Sequence, residues 1–380
     1  MIDRAPGRSR PRSVLLTADT IGGVWSHALE LARALRAGGI GVVLAAMGRR
    51  PTPAQEREVR SIGEIAFHAA AYKLPWMDDP WDDVARAGDW LLELADSSNC
   101  EVAHLSEPVF GMLPWRIPTL AVGHSCVLSW YAAVRGEEAP REWDRYRAAM
   151  TAGFRSAGAV AAPSRAMLAA IGRHYGVRDG SVVPNGRDAA RYAPGPKRPV
   201  ILTAGRLWDP AKNLALLAEV AETLAWPVLA AGALTPPHGN RVAGMGSVHL
   251  LGPLEPDAMA ERLACAAIYA LPARYEPFGL SILEAALAGC ALVLGDVPSL
   301  RELWDGVAIF VPPDEPETLR AALEALVQDQ GLRHTLAMRA RRRALGFSPE
   351  RMAAGYLELY ARLLSDRAPA PSEEEPTCAS

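Results

Sequence analysis

Two glutamates bracket the run Glu276-Pro277-Phe278-Gly279-Leu280-Ser281-Ile282-Leu283-Glu284. An ionised carboxylate accepts two hydrogen bonds at once, which suits a vicinal diol. Between the two acids, Pro277 is excluded from a helix interior and Gly279 permits backbone angles that other residues avoid. Residues 281–288 are strong helix formers, so the spacing predicts a helix that begins beside Gly279. The first N–H groups of such a helix lack internal partners and carry the positive end of its dipole, which makes a seat for a diphosphate. With a ribose diol on one acid, a hexose on the other and the phosphates between them, both ends of a nucleotide sugar are accounted for. The plainer alternative is a loop charge followed by a solvated helix face.

Other stretches add to this chemistry. Gly205-Arg206-Leu207 follows a short apolar run and Lys212 opens the next helical pattern, so two cations are carried to one sheet edge. Arg supplies a planar fork and Lys a point charge, and together they can neutralise a leaving diphosphate. Gly22-Gly23 lets backbone approach a phosphate, but it lacks the G-x-G-x-x-G spacing of a dinucleotide dehydrogenase. His124 follows the apolar residues 120–122, where a strand end can turn a polar ring toward a cleft. The aromatic and acidic residues Trp76, Asp78, Asp79, Trp81, Asp82 and Asp83 suit sugar stacking, although a capped surface helix explains them as well.

The elements that must position these groups alternate. A strand over residues 14–18 leads through the glycine pair to an amphipathic helix over 28–35, and a buried strand follows at 40–47. Further strands are expected at 102–105, 119–122 and 159–162, with helices at 85–94 and 143–154 and a helix cap at Ser164. Residues 187–199 carry Pro, Ala and charge without a period and read as a linker. A second alternating half then begins. Strands are expected at 200–204, 228–231, 248–251, 268–271, 291–294 and 308–311, and helices at 213–224, 257–266 and 299–304, with one more capped near Asp314. This order argues for parallel sheets covered on both faces.

The 380 residues suffice for roughly two domains, and 50% apolar with 22% charged residues is ordinary for a globular enzyme. A net charge of −3 supplies no basic field for nucleic acid. Arg339, Arg341, Arg342 and Arg343 could meet anionic headgroups, or form a solvated helix face. The five cysteines, Cys100, Cys126, Cys265, Cys290 and Cys378, lack the spacing of a disulfide framework or zinc site. No apolar run reaches a membrane span, so the cytoplasm is the expected address. The Pro- and Glu-rich residues after Ser365 have little to bury and are expected to be disordered.

In order along the chain, "GGVW", "GH" at 123–124, "VPNGRD", "AGRLWDPAKN", "LLGPL", "EPFGLSILEAALAGC" and "VPSLREL" resemble the retaining glycosyltransferases of family 4, over residues 13–365. The resemblance implies the GT-B fold: an α/β protein whose two Rossmann-like domains, with parallel sheets, face across a cleft. The implied plan is a flexible start over 1–12, an acceptor domain over 13–186, a linker over 187–199, a nucleotide-sugar domain over 200–348, a helix over 349–365 that returns to the first domain, and a tail over 366–380. It also implies roles. Glu276 would hold the donor hexose and Glu284 the ribose hydroxyls, Arg206 and Lys212 the diphosphate, and His124 would lie near the sugar. Gly22 and Gly23 would form the phosphate-side loop, Phe278, Gly279 and Leu280 would offer backbone to the phosphate and sugar, and Gly252 and Leu254 would lie by the base. No cofactor or metal is expected. The expected partners are a nucleotide-sugar donor and a glycan, lipid or small-molecule acceptor, with peripheral membrane contact and no nucleic acid.

Two departures from the family pattern stand out. Five residues separate Arg206 from Lys212 where many members have four, which could displace Lys212. Trp25 follows the glycine loop and could narrow the acceptor opening. Rival readings are a glycoside hydrolase built on the two glutamates, which leaves both cations unexplained, a nucleotide-sugar epimerase, and a nucleotide-sugar-binding protein without turnover.

Overall fold

The computed structural model describes residues 10–235 and 245–366. Its first part runs Ser13–Asp19 (β1), Gly23–Ala37 (α1), Gly41–Met47 (β2), Pro53–Arg60 (α2), Ala66–Ala69 (β3), Trp81–Ser97 (α3), Val102–Leu105 (β4), Thr119–Val122 (β5), Val127–Val134 (α4), Asp144–Ser156 (α5), Ala159–Ala162 (β6), Arg165–Tyr175 (α6) and Ser181–Val182 (β7). The strands form one parallel sheet in the order β3-β2-β1-β4-β5-β6-β7.

The second part runs Arg198–Ala204 (β8), Leu214–Ala221 (α7), Val228–Ala231 (β9), His249–Gly252 (β10), Pro256–Cys265 (α8), Ala266–Leu271 (β11), Leu280–Leu287 (α9), Ala291–Gly295 (β12), Pro298–Trp304 (α10), Ile309–Val311 (β13), Pro316–Gln328 (α11), Gln330–Ala344 (α12) and Pro349–Ser365 (α13). Its sheet is also parallel, in the order β10-β9-β8-β11-β12-β13. The central strands β1, β4, β11 and β12 are buried almost throughout because helices cover both faces of each sheet. The last helix, α13, sets Met352, Tyr356, Leu359, Tyr360 and Leu363 into the same apolar cluster as Leu29, Leu31 and Leu35 of α1.

Strand order reverses between β1 and β4 in one sheet and between β8 and β11 in the other. Ligands of open α/β sheets bind outside the carboxyl ends of strands at such reversals. The loops that leave β1 and β8 carry Gly22-Gly23 and Gly205-Arg206, so topology alone brings these two stretches to the ligand-binding edges.

Several local expectations need correction. The helix expected near Asp314 begins at Pro316, with Glu315 as its N-cap, while Asp314 pairs with Arg274. Trp25 does not narrow an opening. It is 4% exposed, donates from Nε1 to Glu58 Oε2 at 2.9 Å and meets Phe67 edge-on, because its place on α1 turns it toward α2 and β3. Of the expected flexible start, Arg12 is tied by its backbone N–H and Nε to the two oxygens of Glu101, each at 2.7 Å. Residues 1–9 and 367–380, including most of the expected tail, lie outside the described residues. Residues 187–199 are not a bare connector: Arg187 and Tyr192 are buried and a 3₁₀ turn spans Ala189–Tyr192.

The aromatic and acidic segment leads into a helix, α3, that starts at Trp81 behind Pro80 and has no side-chain cap. Asp82 and Asp83 lie in the first turn of α3, Asp83 accepts from the Lys73 backbone N–H at 2.9 Å, and Trp76 and Trp81 pack on the core. Within the arginine cluster, Arg341 donates to the Leu287 carbonyl at the end of α9, and Arg343 to the Leu303 and Asp305 carbonyls at the end of α10. These two side chains satisfy helix-end acceptors, which is a structural use of their charge.

Candidate active site

Gly22 is the N-cap of α1 with φ +101°, a conformation that favours glycine. A Cβ built on it would lie 3.6 Å from an Arg206 guanidinium nitrogen, and one on Gly23 would lie 3.4 Å from Leu280 Cδ1. The glycine loop of the first sheet therefore faces both Arg206 and the start of α9 in the second. Gly279 caps α9 with φ +86°, as the sequence requires. Phe278 is buried edge-on against Phe347, so only its backbone faces outward. Leu254 and Leu280 pack on one cluster, and Gly252, at the end of β10, accepts from the Gly232 N–H at 2.8 Å.

Across the five-residue spacing, Lys212 reaches Glu276. Residues Pro210–Lys212 form a 3₁₀ turn, and Lys212 Nζ pairs with Glu276 Oε2. The same loop carries Asp209, which the sequence reading passed over. It is 4% exposed, its Oδ2 accepts from Arg206 at 3.0 Å, and its Oδ1 accepts from Ala211 N–H and Trp130 Nε1–H, both at 3.0 Å. Trp130 lies on α4, so this contact crosses between the two sheets.

Further contacts fix the frame around Glu276. Ser299 Oγ donates to the Glu276 carbonyl, and Ser164 Oγ donates to the Pro277 carbonyl at 2.8 Å. The Tyr275 hydroxyl accepts from Cys126 N–H at 3.2 Å and meets Ser129 Oγ at 2.9 Å. Glu302 of α10 accepts from the first two N–H groups of α6, at 2.8 and 2.9 Å. Asn213, left-handed at φ +55°, donates to the Pro272 and Pro313 carbonyls and anchors the start of α7. At the start of α9, Tyr269 donates to the Ala204 carbonyl at 3.1 Å and meets Ser281 Oγ.

His124 comes two residues before Cys126, whose N–H meets the Tyr275 hydroxyl. Its Nε2 is buried without a partner, and its ring lies 4.5 Å from that of His27 on α1. His27 in turn faces His104, whose Nδ1 is 2.7 Å from the Tyr360 hydroxyl of α13. Burial lowers His124 to about 4. Burial and then the His124 charge lower His104 to about 3, and burial with both neighbouring rings holds His27 well below the usual imidazole range.

Asp19 ends β1, and Glu107 lies two residues past the end of its paired strand β4. Burial raises Asp19 to about 7 against the opposing Ile21 N–H bond and Arg206 charge, and burial plus the Asp19 charge raises Glu107 to about 8. The unfolded chain protonates its histidines near pH 6.5 while the folded chain resists until about 4, so stability falls as pH drops through that range. The folded chain keeps the protons of Asp19 and Glu107 to about 7 and 8, so stability also falls as pH rises through those values. The melting temperature is expected to peak at about pH 6 to 7. Asp19→Asn combined with Glu107→Gln should flatten the alkaline limb, and an unchanged limb in a melt series from about pH 5 to 9 would refute this origin.

Glu284 is not a free carboxylate. Its Oε1 accepts from Arg187, which also reaches Glu30 Oε1 at 3.4 Å on α1. The sequence reading missed both Arg187 and Glu30, since one lay in a presumed linker and the other on an ordinary amphipathic helix. Among the described residues, no group of three or more His, Cys, Asp or Glu side chains is arranged to hold a metal ion.

Both halves of the chain match models of known protein families. The model described as Glycosyltransferase Family 4 matches residues 21–191, and that described as Glycosyl transferases group 1 matches residues 198–329. The chain belongs to the group 1, family 4 glycosyltransferases. A relative, D-inositol 3-phosphate glycosyltransferase of Kineococcus radiotolerans, is 30% identical over 229 residues, which are 49% of this chain and 52% of that one. The chain spans about half the length of the curated relatives it matches. Sucrose-phosphate synthase of Thermosynechococcus elongatus superposes with a TM-score of 0.76 at 17% identity, covering 93% of this chain and 100% of that one. Anabaena HepE, solved with UDP and glucose, gives 0.72 at 17% identity, covering 92% and 100%. These likenesses show the GT-B fold, with its two Rossmann-like units.

Proposed function

We propose that this chain is a retaining glycosyltransferase that moves a hexose from a nucleoside-diphosphate sugar to an acceptor hydroxyl without a metal ion. The observation that carries the reading is the convergence of Arg206 and Lys212 on the edge faced by Gly22. Two cations and two helix starts there are suited to a departing diphosphate. In the reaction, the bond from the anomeric carbon to the phosphate oxygen breaks and the acceptor oxygen bonds to that carbon from the same face. The acceptor's proton passes to the leaving phosphate oxygen. Catalysis is then positioning together with stabilisation of departing charge.

Glu276, held by Lys212, would receive hexose hydroxyls. Glu284 would receive the ribose diol, and Gly252 and Leu254 would flank the base. His124 would lie near the transferred sugar as a neutral imidazole. The acceptor is a glycan, a lipid or a small polyol, and the Kineococcus relative makes inositol phosphate the first to test. No helix among the described residues is long and apolar enough to cross a membrane, and the proposed address is the cytoplasm, with peripheral membrane contact if the acceptor is a lipid.

The test is a thermal-shift screen against UDP-glucose, UDP-galactose, UDP-GlcNAc, GDP-mannose and ADP-glucose. Stabilisation by one donor that is lost in Glu284→Ala is expected. The variant leaves buried Arg187 without its nearest carboxylate, so the ligand-induced shift, rather than the absolute melting temperature, is the quantity to compare. No shift with any donor would overturn the donor assignment. Product analysis with the bound donor then separates glycoside formation from epimerisation.

A further inference from the structure

Arg187 joins three parts of the chain that are far apart in sequence. Its backbone N–H donates to the Phe347 carbonyl at 3.0 Å, and the neighbouring Gly186 lies so close to Ser348 that an added Cβ would come within 2.4 Å of its carbonyl oxygen. The root of the side chain is therefore fixed where the two segments connecting the sheets cross. From there one terminal nitrogen donates to Glu284 on α9, and the other lies near Glu30 Oε1 at 3.4 Å and the Ser26 carbonyl at 3.5 Å, both on α1. The side chains of Arg187, Glu284 and Glu30 are 8%, 10% and 2% exposed.

The two acids are served unequally. Glu30 also has Arg33 at 3.6 Å and Arg191 at 4.0 Å, whereas Arg187 is the cation paired with Glu284 among the described residues. Arg187 spends one end on a carboxylate that already has cations and the other on one that depends on it. That arrangement suits an anchored guanidinium whose task is to aim Glu284. It bonds Oε1, and the Tyr192 phenol is a further hydrogen-bond partner of the same carboxylate. Burial opposes the guanidinium charge, but the Glu284 and Glu30 carboxylates more than offset this and hold its proton on. Burial and then the Glu284 charge raise the adjacent Tyr192 phenol, which stays neutral.

We infer that Arg187 is a positioning residue for the donor: it fixes the Glu284 carboxylate so that its second oxygen meets the ribose diol, and Glu30 anchors it from the helix that begins at the Gly22-Gly23 loop. The inference rests on the proposed donor site. It also couples the two sheets, since the helix start facing Arg206 and the carboxylate meant for ribose share one guanidinium.

The test measures the binding of UDP, GDP and ADP and of their 2′-deoxy counterparts by titration calorimetry, and takes the ratio of deoxy to ribo Kd for the base that binds. In the unmodified protein the ratio is expected to be about 10 to 100, the value of one hydrogen bond to a charged group. Glu284→Ala should bring it to about 1. Arg187→Met should do the same although Glu284 is intact, Arg187→Lys should restore part of it, and Glu30→Gln should lower it partway. The lysine and glutamine variants keep buried charge partnered and carry the test if the methionine variant does not fold. If Glu284→Ala abolishes the preference while the Arg187 variants keep it, Arg187 is only a structural tie and the inference fails. If no nucleotide binds, or Glu284→Ala leaves the ratio unchanged, the donor-site reading itself is wrong.

Discussion

Arg206→Ala is expected to lower kcat by about 100- to 1,000-fold, a loss of ~3 to 4 kcal/mol of transition-state stabilisation, as for other donors aimed at developing charge. Its effect on folding should be small. The Arg206 side chain is 40% exposed, and an exposed ion pair contributes at most about 1 kcal/mol. Nor does the substitution orphan the buried Asp209, which retains the Trp130 and Ala211 donors. Activity and stability should therefore separate: a large rate loss with a nearly unchanged melting temperature. Initial rates with the donor found in the binding screen, beside a thermal melt, measure both. Arg206→Lys should recover part of the rate, since a point charge replaces a planar fork. A full rate for the alanine variant would remove Arg206 from the proposed chemistry and leave Lys212 and the helix starts as the only phosphate partners.

Gly232→Ala is expected to damage both fold and site. Gly232 has φ +143°, and an added Cβ would lie 1.8 Å from the Gly205 carbonyl oxygen, a backbone atom that no side-chain rotation can move. Gly205 N–H donates to the Ala231 carbonyl at 3.0 Å and Gly232 N–H to the Gly252 carbonyl at 2.8 Å, so three glycines close the carboxyl ends of β8, β9 and β10. Alanine must force β8 and β9 apart where Arg206 follows Gly205. Overpacking of ~1 to 3 kcal/mol adds to backbone strain of ~1 to 3, giving a loss of about 2 to 6 kcal/mol. Gly306→Ala is the control. Gly306 has φ +75° with open space around its Cβ position, so it should lose only about 1 kcal/mol from backbone strain. Urea denaturation of the two variants isolates the overlap. Equal losses would show that the close approach between Gly232 and Gly205 does not limit the fold.

The site was partly legible. Glu276, Gly279 and Glu284 announced a glycine-capped helix because Pro, Gly and helix-forming residues act over a few positions, and α9 begins at Leu280 accordingly. The spacing from Arg206 leaves the reach of Lys212 open, and the 3₁₀ turn over Pro210–Lys212 sets its amine on Glu276. Trp25 was placed at the opening because it follows the glycine pair. Helical rotation instead carries it to Glu58 on the far side of α1. Asp209 was visible as a residue but not as a ligand of Arg206 and Trp130, since Trp130 lies 79 positions away.

The amino-acid sequence by itself determined the alternation of strand and helix, the glycine-capped helix start and the residue types suited to a diphosphate and two diols. Each of these is a local property, governed by backbone angles, hydrophobic period and side-chain chemistry. Only the tertiary structure decided which charges meet. Arg187 finds Glu30 and Glu284 across separations of 157 and 97 residues, and the three histidines gather from α1, β4 and the loop after β5. The physical reason is that a buried charge must be paired wherever the packed sheets place it, and its partner is set by the crossing of elements rather than by any spacing along the chain.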